Sequence, residues 1–436
     1  MFVEKFWKIR YRKQLERARK TNDPVESRYV SIRTKLRNKP SFESSIELGY
    51  VFTGERLEGT RVGDFLRINH QGYFLYLYYH NTLKVSDIAP EPIRDLGLKN
   101  IYSYVPKAII VNSVKDKIVL SWQEYKDLDH LIYEKREGEK DFRLIEKSSS
   151  NKLVKKVIRG QRYKYLVQAV SKDGKIRSKK SRVYSIYVPK KGVTSVKNFL
   201  KVAIAPIGNT LYVAGGGYGL EGRNKRGFSS KIGISPQWRY FYERTVKNID
   251  LSKSKYRIHS GLDCSGYVGF AIYNSLEVWD FSNSYQAYTN ILLTHLYKKG
   301  LGDYIPKPRV KDYKVGDIMA TFNGDYGHTW IVLGTCDDGS IVVVHSSQSG
   351  VKLSGSLRPD LKKPSQAHEL AKKYMKKYYP IWTKYAKSLY MEYDFVKESG
   401  ILRWHDYIMS DPEGYRGMGV EQVLEDLFAQ GSDEIS

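Results

Sequence analysis

The residues best equipped for chemistry begin at Gly261-Leu262-Asp263-Cys264-Ser265-Gly266-Tyr267-Val268-Gly269-Phe270, where a thiol follows an Asp directly and precedes a Ser-Gly. From Cys264 onward Tyr267, Val268, Ala271, Ile272 and Leu276 recur at helical spacing, which predicts a helix that starts at the cysteine and buries one stripe. Asp263 has the chemistry of its N-cap. A thiol in that place meets unpaired backbone N–H groups and the positive end of the helix dipole, and both favour the nucleophilic thiolate. Two readings are open for one such cysteine, a small buried hydrophobe or a nucleophile.

A nucleophilic thiol needs a base, and the sequence offers one in Gly327-His328-Thr329-Trp330-Ile331-Val332-Leu333-Gly334. Thr335-Cys336-Asp337-Asp338-Gly339-Ser340 follows as a turn, and Ile341-Val342-Val343-Val344-His345-Ser346-Ser347 as a second strand, so the whole reads as a β-hairpin. With a loop from Cys336 to Gly339, Thr335 pairs with Ser340 and His345 falls opposite Trp330. His328 shares a face with Trp330, which makes His345 its diagonal neighbour at roughly 7–8 Å between backbones, a gap two imidazoles can close. A slip of one residue would send them to opposite faces. Cys264, His328 and His345 together supply a nucleophile, a base and a group to orient the base.

At these residues the chain resembles the NlpC-type cell-wall peptidases, which have a compact papain-like fold. The resemblance rests on Tyr212-Val213-Ala214-Gly215-Gly216, Asp263-Cys264-Ser265-Gly266-Tyr267-Val268, Gly327-His328 and His345, in that order, with Lys314-Val315-Gly316-Asp317-Ile318-Met319 leading into the histidine strand. It covers roughly residues 194 to 350, and more weakly the tail. The resemblance implies that Cys264 is the nucleophile, His328 its base and His345 the group orienting His328. It also implies that Tyr212 lines an oxyanion site with the Cys264 backbone N–H, and that Asp263 and Ser265 help hold a substrate amine. The implied reaction is hydrolysis of a peptidoglycan stem peptide between D-glutamate and a diamino acid, without a cofactor, in an extracellular or cell-wall setting. A long insertion over residues 218–260 and a helical, Tyr/Lys-rich extension over residues 365–436 with an acidic, frayed end depart from the family pattern.

The chain's 436 residues are enough for several domains with their own cores. Residues 1–43 are basic and helix-prone, as in Phe6-Trp7-Lys8-Ile9-Arg10, and are expected to form an arm. They contain no apolar run of the kind a signal peptide or membrane span needs, which sits against the cell-wall expectation. Residues 44–92 turn to short strands with Gly turns, among them Ile46–Phe52 and Gly72–Tyr78, and weakly resemble a small SH3-like β-barrel closed off by Pro90-Glu91-Pro92. Its tyrosines are open to two readings, cross-strand packing or stacking on a ligand. Residues 107–190 resemble a fibronectin type III sandwich, with strands at Ile118–Trp122, Leu131–Lys135 and Tyr163–Val170 and a turn at Asp173-Gly174. That domain carries no catalytic group and is expected to be a spacer. The expected architecture is therefore multidomain, with an α+β papain-like domain over 194–436 after the two β-modules.

Net charge is +26, a balance that attracts polyanions such as anionic wall polymers but also arises from a Lys-rich, soluble surface. With two cysteines there is no disulfide framework, and Cys336 is expected to be a partly exposed turn thiol. The nine histidines and two cysteines never take metal-ligand spacing, so no metal is expected. Gly217-Tyr218-Gly219-Leu220-Glu221-Gly222 matches a dinucleotide fingerprint in letters, yet no helix pattern opens there and Arg223-Asn224-Lys225-Arg226 follows at once. A nucleic-acid partner is not expected. Two rivals to a peptidase remain at this stage: an inactive wall-binding protein, and a Cys/His acyltransferase or amidase acting on another amide.

Overall fold

The computed structural model describes residues 12–30, 34–51, 56–84, 101–102, 104–106, 110–114, 116–122, 125, 128–213, 215–218, 233–235, 238, 242, 261–276, 285–324, 327–360, 364–386, 391–392 and 399–429. The first sheet holds β1 (Glu26–Val30), β2 (Thr34–Arg37), β3 (Glu47–Val51), β4 (Arg56–Val62), β5 (Phe65–His70), β6 (Tyr73–Tyr78) and β7 (Thr82–Lys84), in the order β3-β2-β6-β5-β4-β1-β7. It begins well before residue 44. Leu15, Val30 and Leu36 are buried with Leu66, Leu75 and Leu77, and the backbone at Glu16 and Ala18 bonds to Phe74 and Gly72. The expected basic arm is thus corrected from Arg12 onward: Glu26–Val30 is a strand with Arg28 and Val30 buried, and Arg28 donates to Thr82 Oγ1 (2.6 Å) and Tyr79 OH (2.7 Å). Residues 1–11 and Pro90-Glu91-Pro92 lie outside the described residues.

A β-sandwich follows, from β8 (Ile110–Val114), β9 (Lys117–Ser121), β10 (Leu128–Arg136), β11 (Arg143–Ser148), β12 (Lys152–Lys156), β13 (Arg162–Ser171), β14 (Arg177–Lys180) and β15 (Tyr184–Tyr187). One sheet runs β12-β9-β8; the other runs β11-β10-β13-β14, with β15 also on β13. Leu120 and Leu153 from the first sheet meet Ile132, Tyr163, Tyr165 and Val167 from the second around fully buried Trp122, so alternation along each strand fills one core. This is a fibronectin type III-like arrangement.

The remaining chain is α+β. It comprises β16 (Thr194–Ser195), α1 (Val196–Ile204), α2 (Cys264–Leu276), α3 (Leu292–Lys298), β17 (Gly302–Ile305), β18 (Ile318–Phe322), β19 (Gly327–Thr335), β20 (Ile341–Ser347), β21 (Gly350–Ser356), α4 (Gln366–Tyr378), α5 (Pro380–Ala386), β22 (Met391–Glu392), β23 (Gly400–Trp404), β24 (Met409–Ser410) and α6 (Val420–Ala429). The sheet order is β17-β23-β18-β19-β20-β21-β22, antiparallel except for the β21–β22 pair. Phe199 of α1, Phe270 of α2, Met375 of α4 and Leu427 of α6 share one core with Ile331, Leu333, Val342 and Val344 of the sheet.

The extension is helical at Gln366–Tyr378, Pro380–Ala386 and Val420–Ala429, but the expected frayed end is corrected as far as Ala429, and a strand interrupts the helices. β23 enters between β17 and β18, and Arg403 on it clasps buried Asp317 through Nη2–Oδ2 (2.7 Å) and Nε–Oδ1 (3.2 Å). Val420, Val423, Leu424, Leu427 and Phe428 are buried, and Val420 packs so close to Gly334 that a Cβ there would lie 2.8 Å from it. Glu421 and Glu425 of α6 are exposed, while Asp426 accepts from buried Lys197 and from Tyr415 OH. The 218–260 insertion is described at a few positions, where Trp238 is fully buried against Phe270 of α2 (ring centroids 5.2 Å).

Candidate active site

The helix that starts at Cys264 is held by close backbone approach. Leu262 N donates to Leu211 O and Val213 N to Leu262 O (3.3 Å each), a parallel bridge that sets Tyr212 beside Leu262, and Asp263 N donates to Gly216 O (2.8 Å). A Cβ on Gly266 would sit 2.0 Å from Gly216 O, one on Gly216 2.5 Å from Gly261 O, and one on Gly261 2.4 Å from Leu211 O. Three glycines are therefore required for these two segments to touch. Asp263 Oδ1 caps the helix, accepting from Gly266 N (2.6 Å) and Ser265 Oγ (3.1 Å). Cys264 is the first residue of α2, 7% exposed, with Sγ 4.0 Å from Gly327 O and the backbone N–H groups of Ser265, Cys264 and Thr329 turned towards it.

Those N–H groups do not decide the charge state. Burial pushes the thiol well above its ordinary range, and the neighbouring Asp263 carboxylate pushes the same way. The expectation that a helix start favours thiolate is thus reversed in direction, because desolvation of a sulfur anion outweighs partial charges at one helix end. Cys336, expected to be partly exposed, is also buried, and burial raises it to about 11.

The histidine hairpin reaches the expected pairing by two offsets that cancel. The turn is one residue tighter than expected, with Cys336 N on Ser340 O (2.7 Å) and Thr335 paired with Ile341. A bulge between Val332 and Gly334 then restores the count, so Ile331 pairs with Val344 and Trp330 lies beside His345 (ring centroids 6.4 Å). His328 Nε2 and His345 Nδ1 are 2.7 Å apart with near-perpendicular rings, and His345 Nε2 lies 2.9 Å from Ser354 Oγ. Burial holds both imidazoles neutral: His328 is pushed down to about 3 and His345 well below its usual value, with Lys352 adding to both shifts.

The structure brings Cys264, the backbone on both sides of His328, and His345 into one site. Asp263 and Ser265 bond to each other at the helix cap, and Tyr212 is half-buried beside Leu262. Ser354 and Lys352, both buried, were not singled out in the sequence; strand alternation after Gly350, with Lys352 paired to His345, is the signal that points to them. Among the described residues no group of three or more His, Cys, Asp or Glu side chains could hold a metal ion, and no helix is long and apolar enough to cross a membrane. Of Gly217–Gly222, only Gly217 and Tyr218 are described.

No protein-family model matches the chain, and no curated protein matches it. Parts of it are similar to solved structures. A fibronectin type-III domain of human fibronectin type III domain containing protein 3 is 16% identical, over 20% of this chain and 89% of that one, with a TM-score of 0.18. An Fn3-like protein from Clostridium thermocellum is 19% identical, over 20% of this chain and 92% of that one, with a TM-score of 0.17. Domains A168-A170 from titin are 13% identical, over 38% of this chain and 59% of that one, with a TM-score of 0.19.

Proposed function

We propose that the chain is a cysteine endopeptidase of the NlpC type, with a papain-like catalytic domain, that hydrolyses the bond between D-glutamate and a diamino acid in bacterial peptidoglycan stem peptides. The observation that carries this reading is the His328–His345 bond, made beside a helix-start thiol that lies against the strand flanking His328. In the productive tautomer His328 Nε2–H donates to His345 Nδ1, and His345 Nε2–H donates to Ser354 Oγ. His328 Nδ1 is then unprotonated and able to take the thiol proton. Sγ attacks the peptide carbonyl, the oxyanion is met by the Cys264 backbone N–H and the Tyr212 hydroxyl, and His328 returns the proton to the leaving amine. Water, deprotonated by the same imidazole, then cleaves the thioester. With the thiol held protonated by burial, the proton moves on attack rather than in a standing ion pair.

The setting proposed is the cell wall or cell exterior, with the SH3-like module and the basic surface engaging anionic wall polymers. The test is mass spectrometry of purified muropeptides incubated with the protein and with Cys264→Ala. New fragments from the wild type alone are expected; the same fragments from the variant would refute the mechanism. The upward shift of the buried thiol favours one second reading, an inactive wall-binding protein. A Cys264 that resists iodoacetamide near neutral pH, together with intact muropeptides, would favour that reading.

A further inference from the structure

The histidine pair has a cation built in next to it. Lys352 of β21 stands directly opposite His345 of β20 in the strand register. Opposed residues of an antiparallel pair share a face, with Cβ atoms about 4.5–5.5 Å apart. Ser354, two residues further along β21 on that face, bonds to His345 Nε2 (2.9 Å), so the register that delivers the hydroxyl also delivers the lysine. Lys352 is 4% exposed and His345 fully buried, which leaves little water to screen a charge between them. The lysine acts on His328 and His345 alike, in both cases against a positive charge on the ring. Lysines rarely lie this deep, and the chemistry proposed above gives this one no role.

We propose that Lys352 is a positioning residue that keeps the His328–His345 pair uncharged, so that Cys264 rests as a thiol and gives up its proton only as it attacks a carbonyl. The proposal rests on the reading of His328 as the base for Cys264. A resting thiolate–imidazolium pair would require the Sγ proton to sit on His328 Nδ1, a second cation beside the lysine in a desolvated interior. During attack the proton passes to His328 as the S–C bond forms. The imidazolium, disfavoured by the lysine, then hands it to the leaving amine as the C–N bond breaks. Lys352 thus lowers the resting reactivity of the thiol and makes His328 a stronger general acid.

The test is the rate of iodoacetamide alkylation at pH 7, read by mass spectrometry of the peptide that contains Cys264. It compares the wild type, Lys352→Met, Lys352→Gln and Lys352→Arg, each with and without His328→Gln. Methionine and glutamine are two different ways of removing the charge, and either suffices. Both are expected to speed alkylation about tenfold, the effect of about one unit on His328, while Lys352→Arg keeps the wild-type rate. The acceleration should vanish in the His328→Gln background, whereas a site merely loosened by the substitution would stay fast there. Wild-type rates without the charge, an equal acceleration in Lys352→Arg, or an acceleration that survives His328→Gln would overturn the proposal. Muropeptide cleavage is scored apart: none by the wild type would overturn the peptidase reading and leave the alkylation rates to decide the role of Lys352.

Discussion

Acid should act on this protein through histidines that the fold keeps neutral. His328 is 4% exposed and pushed from 6.5 to about 3, and His130, in the sandwich against Trp122, is 1% exposed and pushed to about 4, in each case chiefly by burial. Their folded values are depressed, so between those values and 6.5 the unfolded chain binds more protons than the native one. The stability they allow is present above 6.5 and is lost as pH falls towards 3 or 4. From about pH 7 to about pH 5 the linkage relation assigns each of these two groups a loss of about 2 kcal/mol, and His345, shifted in the same direction, adds to it. Urea unfolding followed by tryptophan fluorescence at the two pH values reads the sum. His130→Phe and His328→Gln should each flatten the pH dependence by their share, whatever they cost near neutrality. In the peptidase reading the acid limb of kcat/KM should likewise follow unfolding rather than a base titrating near 6.5. Stability equal at the two pH values, or a His328 imidazole resonance that titrates near 6.5 in the folded protein, would refute the reasoning.

His345→Leu takes a partner from both His328 Nε2 and Ser354 Oγ, at a cost of about 1–3 kcal/mol for each buried group, and should lower peptidase turnover well beyond that seen in His345→Asn; urea midpoints and muropeptide kinetics check this. Gly266→Ala drives a Cβ into Gly216 O and should cost roughly 1–3 kcal/mol or more while changing the rate of Cys264 alkylation, because the helix start must move. Arg403→Met leaves the Asp317 carboxylate buried without its guanidinium and should destabilise by about 3–5 kcal/mol in the same urea assay. A wild-type urea midpoint in any of these variants would count against the contact named.

Short-range signals in the sequence were legible where one residue type has one physical use. The Asp-Cys-Ser-Gly run placed the start of α2 because a carboxylate before a helix caps it, and the alternation in the hairpin placed both histidines on one face. Even there the turn length was misjudged, and only the bulge near Gly334, which no local pattern announced, returned His345 to Trp330. The sandwich strands were legible from alternation around Trp122. What escaped was set by contacts distant in sequence. The tail was judged on its acidic residues, although Val420, Val423, Leu424, Leu427 and Phe428 recur at helical spacing and bury that face. The strand β23 was invisible because only the gap between β17 and β18 makes Gly400–Trp404 a strand. The thiol's direction was misread for a related reason, since a helix end can be seen locally and desolvation cannot.

The sandwich was expected to be a spacer, and its contacts argue for a structural role instead. Asn198 Nδ2 on α1 donates to Ser113 Oγ (2.9 Å) and Tyr187 O (3.0 Å), and Lys201 Nζ donates to Ser185 O (2.7 Å), so both α1 side chains find partners on sandwich strands. Burial pushes Lys201 down to about 7. Amide and amine groups this deeply placed cost free energy unless bonded, so the sandwich face is part of what makes α1 stable where it lies. α1 in turn receives the hydroxyl of Tyr267, which donates to Ala203 O (2.9 Å) three residues after Cys264 on α2. Gly233 from the insertion completes the seam: it packs against Ser121 of the sandwich, while its N–H donates to Asn274 Oδ1 on α2 (2.8 Å). The start of α2 is thus braced through α1, and its far end through the insertion, by the same sandwich. The sandwich therefore helps to fix where the thiol stands relative to His328.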